Sequence, residues 1–184
     1  MKHGRAKANR KHLQYLSLNG LIPPPPTPLT VLLDGPYISS CVSTSVPLKE
    51  RVNACLGGRD AEYKVTRETL EEMEKVRPDA ATWARDNCEI VEGSARGEEG
   101  LEASSSVAES SSSSSSGLDV APASVLRFAE GGKYVFVCTN DAKLSSVLRS
   151  GHGNVSTLKV VRTVTMLEGV SRAVVRGVER MERG

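Results

Sequence analysis

The chain has 184 residues, 39% of them hydrophobic, and a formal net charge of +2. That length and apolar content predict one domain with a single sizeable core rather than two. No stretch approaches the roughly 18 successive apolar residues of a membrane span, and no signal-peptide core is present, so a soluble protein with no membrane partner is expected.

Charge is spread unevenly. Residues 1–33 contain no acidic side chain, while Lys2, Arg5, Lys7, Arg10 and Lys11 fall within the first dozen positions. Taking those five from the 24 basic residues leaves 19 against 22 acidic ones, so the rest of the chain is mildly negative. A basic arm on a near-neutral body predicts a polyanionic partner, because neutralising phosphates releases counterions and supplies affinity independent of sequence. The same composition also fits a solvated terminus or a mitochondrial presequence, although Pro23–Pro26 follows and no serine enrichment accompanies it. Cys41, Cys55, Cys88 and Cys138 lack the paired close spacing of a metal site and none adjoins a histidine, which predicts reduced thiols in an intracellular protein.

In chain order, residues 12–18 carry His12, Leu13, Tyr15, Leu16 and Leu18 and predict a short amphipathic helix ended by Gly20 and the proline run. The prolines predict a stiff extended connector, so residues 1–26 read as basic arm and linker. Thr30-Val31-Leu32-Leu33-Asp34-Gly35 is a β-branched, apolar run without helical period, as expected for a strand buried on both faces. A helix follows over residues 45–56, with Ser45 as its cap, Pro47 in its first turn, and Leu48, Val52, Cys55 and Leu56 on one face before Gly57-Gly58. Residues 63–66 predict a second strand and residues 67–76 a helix closed by Pro78, with Leu70, Met73 and Val76 on its apolar side. Trp83 reads as a packing anchor.

Residues 92–117 are rich in serine and glycine with almost nothing to bury, and are expected to form a disordered insertion in a surface loop. Order resumes at Val120 with a short helix bearing Val125, Leu126 and Phe128. Tyr134-Val135-Phe136-Val137-Cys138-Thr139-Asn140-Asp141 is the second doubly buried strand, and Leu144, Val147 and Leu148 mark the helix after it. Residues 158–161 form a third apolar run before Thr165-Met166-Leu167, and Val174, Val175, Val178 and Met181 predict a C-terminal helix within residues 169–184. Strand and helix alternate, so the expected fold is α/β, a parallel sheet with helices on both faces, spanning residues 27–168.

Both doubly buried strands end at an aspartate. In an open parallel sheet the ligand crevice lies at the carboxyl ends of the strands, so Asp34 and Asp141 face one another there if the strands are neighbours. Paired carboxylates in such a crevice can hold Mg²⁺. The competing reading is that Asp34-Gly35 is a turn and that Asn140 or Asp141 caps a helix. No phosphate loop or nucleotide-binding glycine pattern is present, since Gly151-His152-Gly153 does not join a strand to a helix.

Several segments together resemble the PIN-domain ribosome-assembly factors. These are the strand ending in Asp34-Gly35, the run Val65-Thr66-Arg67-Glu68-Thr69-Leu70-Glu71-Glu72-Met73-Glu74, and Tyr134–Asp141 with Leu144 behind it. The basic start through His12-Leu13 and the ending Met166-Leu167-Glu168 resemble that family's flanks. The chain is most similar to the U-three-protein-twenty-three branch and its sister, the FAF-one-copurifying branch. The resemblance implies a PIN-like, Rossmann-like fold and residence in the nucleus and nucleolus. It further implies work in the small-subunit processome on 18S pre-rRNA, with pre-rRNA, small nucleolar RNA and processome proteins as partners. Carried over, its acidic centre is Asp34, Glu72 and Asp141. Two further acidic positions of active relatives correspond here to Ala123-Ser124 and Lys143, and the branch's zinc-binding positions correspond to Glu68, Cys88, Ile90 and Ser124, which argues against zinc.

Holding two metal ions takes more anionic oxygen than three carboxylates beside a lysine supply. The expected function is therefore a non-catalytic RNA-binding assembly factor needing no cofactor. Its RNA contacts are Lys2, Arg5, Lys7, Arg10, Lys11 and Lys143. The alternative is an active Mg²⁺- or Mn²⁺-dependent endoribonuclease that uses Asp34, Glu72 and Asp141. A third reading, a small ligand-binding or response-regulator-like α/β domain without nucleic acid, leaves the basic arm unexplained.

Overall fold

The computed structural model describes residues 2–93, 120–131, 133–161 and 164–181, with the side chains of Lys2 and His3 outside that description. The expected serine-rich insertion, from residue 94 onward, lies outside the described residues.

The apolar runs form strands where expected. β1 (Leu29–Leu33) and β4 (Val135–Cys138) are buried along nearly their whole length. They pair in parallel, with Val31 opposite Phe136 and Leu33 opposite Cys138. β2 (Ala61–Thr66), β3 (Glu89–Val91), β5 (Val155–Val161) and β6 (Val164–Leu167) complete a six-stranded sheet of order β3-β2-β1-β4-β5-β6. β1 to β5 run parallel, whereas β6 turns back antiparallel on β5, with Val161 opposite Val164. The expectation of a parallel sheet thus holds for five strands and fails at the edge, where the tight connection after β5 leaves no length for a crossover helix.

Helices cover both faces. α6 (Val120–Ala129) and α7 (Ala142–Gly151) bury Val125, Ala129, Leu144 and Leu148 against Leu32, Val135, Val137 and Val155 of the sheet. Val31, Leu33, Phe136, Cys138 and Leu158 point to the other face. There they join α2 (Gly35–Ser43), α3 (Leu48–Cys55), α4 (Arg67–Val76) and α5 (Pro78–Asn87) in the larger core. α8 (Arg172–Met181) adds Val174 to that core. Each fully buried large apolar side chain contributes roughly 1.5–3 kcal/mol by leaving water, so this two-sided burial is the main stabilising term.

Several local expectations are corrected. The basic segment is helical from its start: α1 (Lys2–Leu18) is a single 17-residue helix. Its C-terminal part docks through fully buried Leu16 and through His12, whose Nε2 lies 2.9 Å from Ser156 Oγ on β5. The proline run is a turn rather than an extended connector, closed by Thr27 N–H donating to Pro24 O and clasped by Arg59 Nη2 donating to Pro23 O and Thr27 O. Ser45 does not cap α3. It sits in the left-handed region at φ +52, and Pro47 occupies the cap position without a side-chain bond. α2, α5 and β3 are elements that the apolar patterning did not expose.

Candidate functional site

Strand order reverses direction in sequence between β1 and β4, and in open α/β sheets that switch point opens a crevice at the carboxyl ends of the strands. A cavity of about 320 Å³ occupies it, lined by Asp34, Glu72, Arg77 and Asp141 among the charged groups and by Gly35, Met73 and Pro122 among the rest. The three acidic residues singled out from sequence therefore line one cavity. Lys143 does not join them: it is exposed on the first turn of α7, and the cation at this cavity is Arg77, held by Asp79 at 3.0 Å.

Each carboxylate is placed by a local structural rule. Asp34 follows β1 and is the N-cap of α2, its Oδ1 accepting from Gly35 N–H at 2.9 Å, with Pro36 in the first turn. Its Oδ2 accepts from Thr139 Oγ1–H at 2.7 Å, and that same Thr139 oxygen accepts from Asp141 N–H at 3.0 Å, which ties the ends of β1 and β4 together. Asp141 is the N-cap of α7, its Oδ1 accepting from Lys143 N–H at 2.7 Å and Leu144 N–H at 3.1 Å. Glu72 lies on the exposed side of α4, a helix capped by Thr66. Asp141 thus caps a helix, as one reading expected, and lines the crevice as well, whereas the expected turn at Asp34-Gly35 is corrected: Asp34 caps α2 while lining the same crevice. Gly35 packs closely on α4: a Cβ there would sit 3.2 Å from Met73 Cγ, so that side chain would have to shift by a few tenths of an ångström.

Asp34 is 1% exposed, and its carboxyl is pushed up to about 6. Burial is the main cause. The hydrogen bonds from Thr139 and Gly35 oppose it, and the like charges of Asp141 and Glu72 add to it. The crevice is therefore a site where negative charge is held at an energetic cost rather than neutralised by an ion pair.

Mg²⁺ binds best to several anionic oxygens free to turn toward it. Here both oxygens of Asp34 are engaged by the fold and one oxygen of Asp141 serves two backbone amides. Among the described residues, no three His, Cys, Asp or Glu side chains come together closely enough to hold a metal ion. α6 contributes Ala121 and Pro122 to the cavity lining and no carboxylate. The donor set does not fit a pair of Mg²⁺ ions.

The fold is similar to that of the solved PIN domain endonuclease Utp24. The match has a TM-score of 0.58 at 18% sequence identity and covers 78% of this chain and 94% of that one. This chain has a PIN-domain fold. No family model and no curated protein matches the sequence.

Within this PIN fold the remaining site residues named from sequence fall elsewhere. Arg5, Lys7, Arg10 and Lys11 are exposed on the N-terminal part of α1, while the side chain of Lys2 lies outside the described residues. Of the zinc-site positions, Glu68 and Ser124 both approach Gly93, and Glu68 Oε1 faces Arg127 at 3.4 Å, whereas Ile90 is exposed and Cys88 packs on the larger core. Sequence reading missed Thr139 and Arg77. Thr139 carried a signal, because a hydroxyl residue two places before an N-cap aspartate at a strand end can bridge to a neighbouring strand. Arg77 carried none, because its place depends on how α4 and α5 meet.

Proposed function

We propose that this chain is a non-catalytic PIN-fold factor that binds RNA during maturation of 18S pre-rRNA, in the nucleolar small-subunit processome. Its partners on this reading are pre-rRNA, small nucleolar RNA and processome proteins. The carrying observation is the state of the acidic crevice: its aspartates are spent on capping α2 and α7 and on joining β1 to β4. The carboxylates hold the crevice edge in shape and leave too little free anionic oxygen for two-metal hydrolysis. The assembly role rests on the sequence resemblance to processome PIN factors, and the similarity to Utp24 supports it.

RNA affinity on this reading comes from exposed cations remote from the crevice, with Arg5, Lys7, Arg10 and Lys11 on α1 as the first set. Lys143, exposed beside the cap of α7, adds a further phosphate contact at the rim. Phosphates are repelled by the crevice itself, where Asp34, Glu72 and Asp141 outnumber Arg77. A second reading, an active metal-dependent endoribonuclease, is favoured by one feature, the raised carboxyl of buried Asp34, since perturbed carboxylates cluster at functional sites. Fluorescence anisotropy with a labelled single-stranded RNA, in EDTA and then in Mg²⁺, separates the two. The non-catalytic reading expects affinity in EDTA at least as high as in Mg²⁺, which competes for the phosphates; affinity that needs Mg²⁺ and is lost in Asp34→Asn supports the endonuclease.

A further inference from the structure

A cavity larger than the acidic crevice lies elsewhere among the described residues. It is an open cleft of about 790 Å³ between the last turns of α7 and the first turns of α8, and its charged lining is all basic: Arg149, Arg172 and Arg176. Ser146 and Ser150 of α7 contribute exposed hydroxyls, and Val175 gives part of the floor. We infer that this cleft is a binding groove for the sugar-phosphate backbone of single-stranded RNA. The inference rests on the RNA-binding reading above and gives it a second, separate place on the molecule.

The two arginines of α8 are not consumed by structure. Arg172 is exposed and makes no hydrogen bond or ion pair with the described residues, and Arg176 makes a single long contact, Nη2 to Ser150 O at 3.4 Å. They stand four apart on α8, where like charges repel and weaken a helix slightly. Such a pair is better explained by an anionic partner than by helix stability.

Arg149 is the fixed member. Its Nη1 donates to Gly169 O at 3.1 Å and stands 3.6 Å from Glu168, so its fork is held in place while a third of the side chain stays exposed. Glu168, the carboxylate beside Arg149, is already matched: Lys159 Nζ donates to its Oε1 at 2.8 Å, and Thr157 and Ser145 donate to its Oε2. Two cations thus share one carboxylate, and the residues that line the cleft carry positive charge only. Guanidinium forks and serine hydroxyls are the side chains that contact phosphate oxygens. The cleft is too open to enclose a small anion, but an extended backbone can lie along it.

α7 connects this cleft with the acidic crevice. Its cap Asp141 lines the crevice, and Arg149 lies about 12 Å further along the axis at 1.5 Å per residue. RNA held in the cleft is attracted at one end of the helix and repelled at the other. That separation keeps phosphates away from the carboxylates.

The test is anisotropy titration of the full chain with a labelled single-stranded RNA at several salt concentrations. Arg172→Gln with Arg176→Gln should raise the dissociation constant about tenfold and lower the log–log salt slope by about 1.4, near 0.7 for each phosphate contact on a single strand. Ser146→Glu, which puts an anion into the cleft from an exposed position on α7, should weaken binding without help from the α8 changes. Lys75→Gln with Lys133→Gln removes the same charge from exposed sites outside the cleft and should leave the slope unchanged. If the parent binds RNA but both cleft variants match it, the cleft inference is overturned and the RNA-binding reading survives. If the parent binds no RNA, both are overturned. Polyglutamate binding lost in the cleft variants while RNA binding persists would overturn the inference in favour of an acidic protein partner.

Discussion

The two ends of α7 use charge in opposite ways. At its start, the carboxylates of Asp34 and Asp141 are turned inward onto amides and a threonine hydroxyl, and they hold β1, β4, α2 and α7 in register. At its end, Arg172 and Arg176 face solvent with few partners. A group bonded to its own chain serves to order that chain, whereas a charge left facing water remains available to another molecule. On this comparison the acidic crevice is a structural joint, and the proposed RNA binding falls to the basic surfaces.

The same division runs along α1. Its C-terminal part is anchored by Leu16 and His12, while Arg5, Lys7, Arg10 and Lys11 project from its N-terminal part. Leu16→Ala should produce the largest change in stability, a loss of about 2–5 kcal/mol, because it deletes a fully buried side chain from a packed core. Chemical denaturation measures it. RNA affinity of the folded fraction should then fall only as far as α1 loses its seat.

Acidification sharpens the comparison between His12 and Asp34, whose buried environments act in opposite directions. Burial lowers His12 from 6.5 to about 4, with a partial offset from the Glu168 backbone and a further push from Arg149. A folded value below the unfolded one means that His12 contributes stability fully above pH 6.5 and loses it as pH falls toward 4, on the order of 3 kcal/mol. Asp34 is raised from 3.8 to about 6, so its contribution is fully present below pH 3.8 and is lost as pH rises through 6. Asp34→Asn should therefore stabilise the protein at pH 7, by about 1–3 kcal/mol, and His12→Gln should remove the loss on acidification. Melting curves of parent and variants between pH 4 and pH 7.5 read both effects. Destabilisation by Asp34→Asn at neutral pH would break the account of the crevice.

A smaller effect is expected at Asp141. Asparagine caps helices nearly as well as aspartate, so Asp141→Asn should change stability by a few tenths of a kcal/mol, while Asp141→Ala should cost about 1 kcal/mol. RNA affinity should hold or rise slightly in both, since each removes an anion near phosphates. A clear loss of RNA affinity in Asp141→Asn would place the ligand in the crevice.

The parts of the fold legible from sequence were those with strong local physics. β1 and β4 announce themselves as uninterrupted apolar runs, and α4 by an apolar stripe with Pro78 after it. α2 was hidden because Gly35-Pro36 reads equally as a turn, although an aspartate cap followed by proline is also how helices begin. α5 was hidden because Pro78, read as the stop after α4, is the first residue of the next helix. β3 has three residues and an exposed Ile90, too little for a pattern. Convergence of Asp34 and Asp141 followed from strand ends. That they are bound to their own backbone, and that Arg77 rather than Lys143 enters the cavity, depends on tertiary placement that residue spacing does not encode.

The central claim is that this PIN fold binds RNA without cutting it. Its most direct test incubates the purified full chain with a labelled single-stranded RNA in excess Mg²⁺ and then Mn²⁺, following binding and cleavage in the same samples. The account predicts saturable binding, at least as tight in EDTA, with the RNA intact and with Asp34→Asn indistinguishable from the parent in affinity. Metal-dependent cleavage that disappears in Asp34→Asn would contradict it and make the crevice an active site.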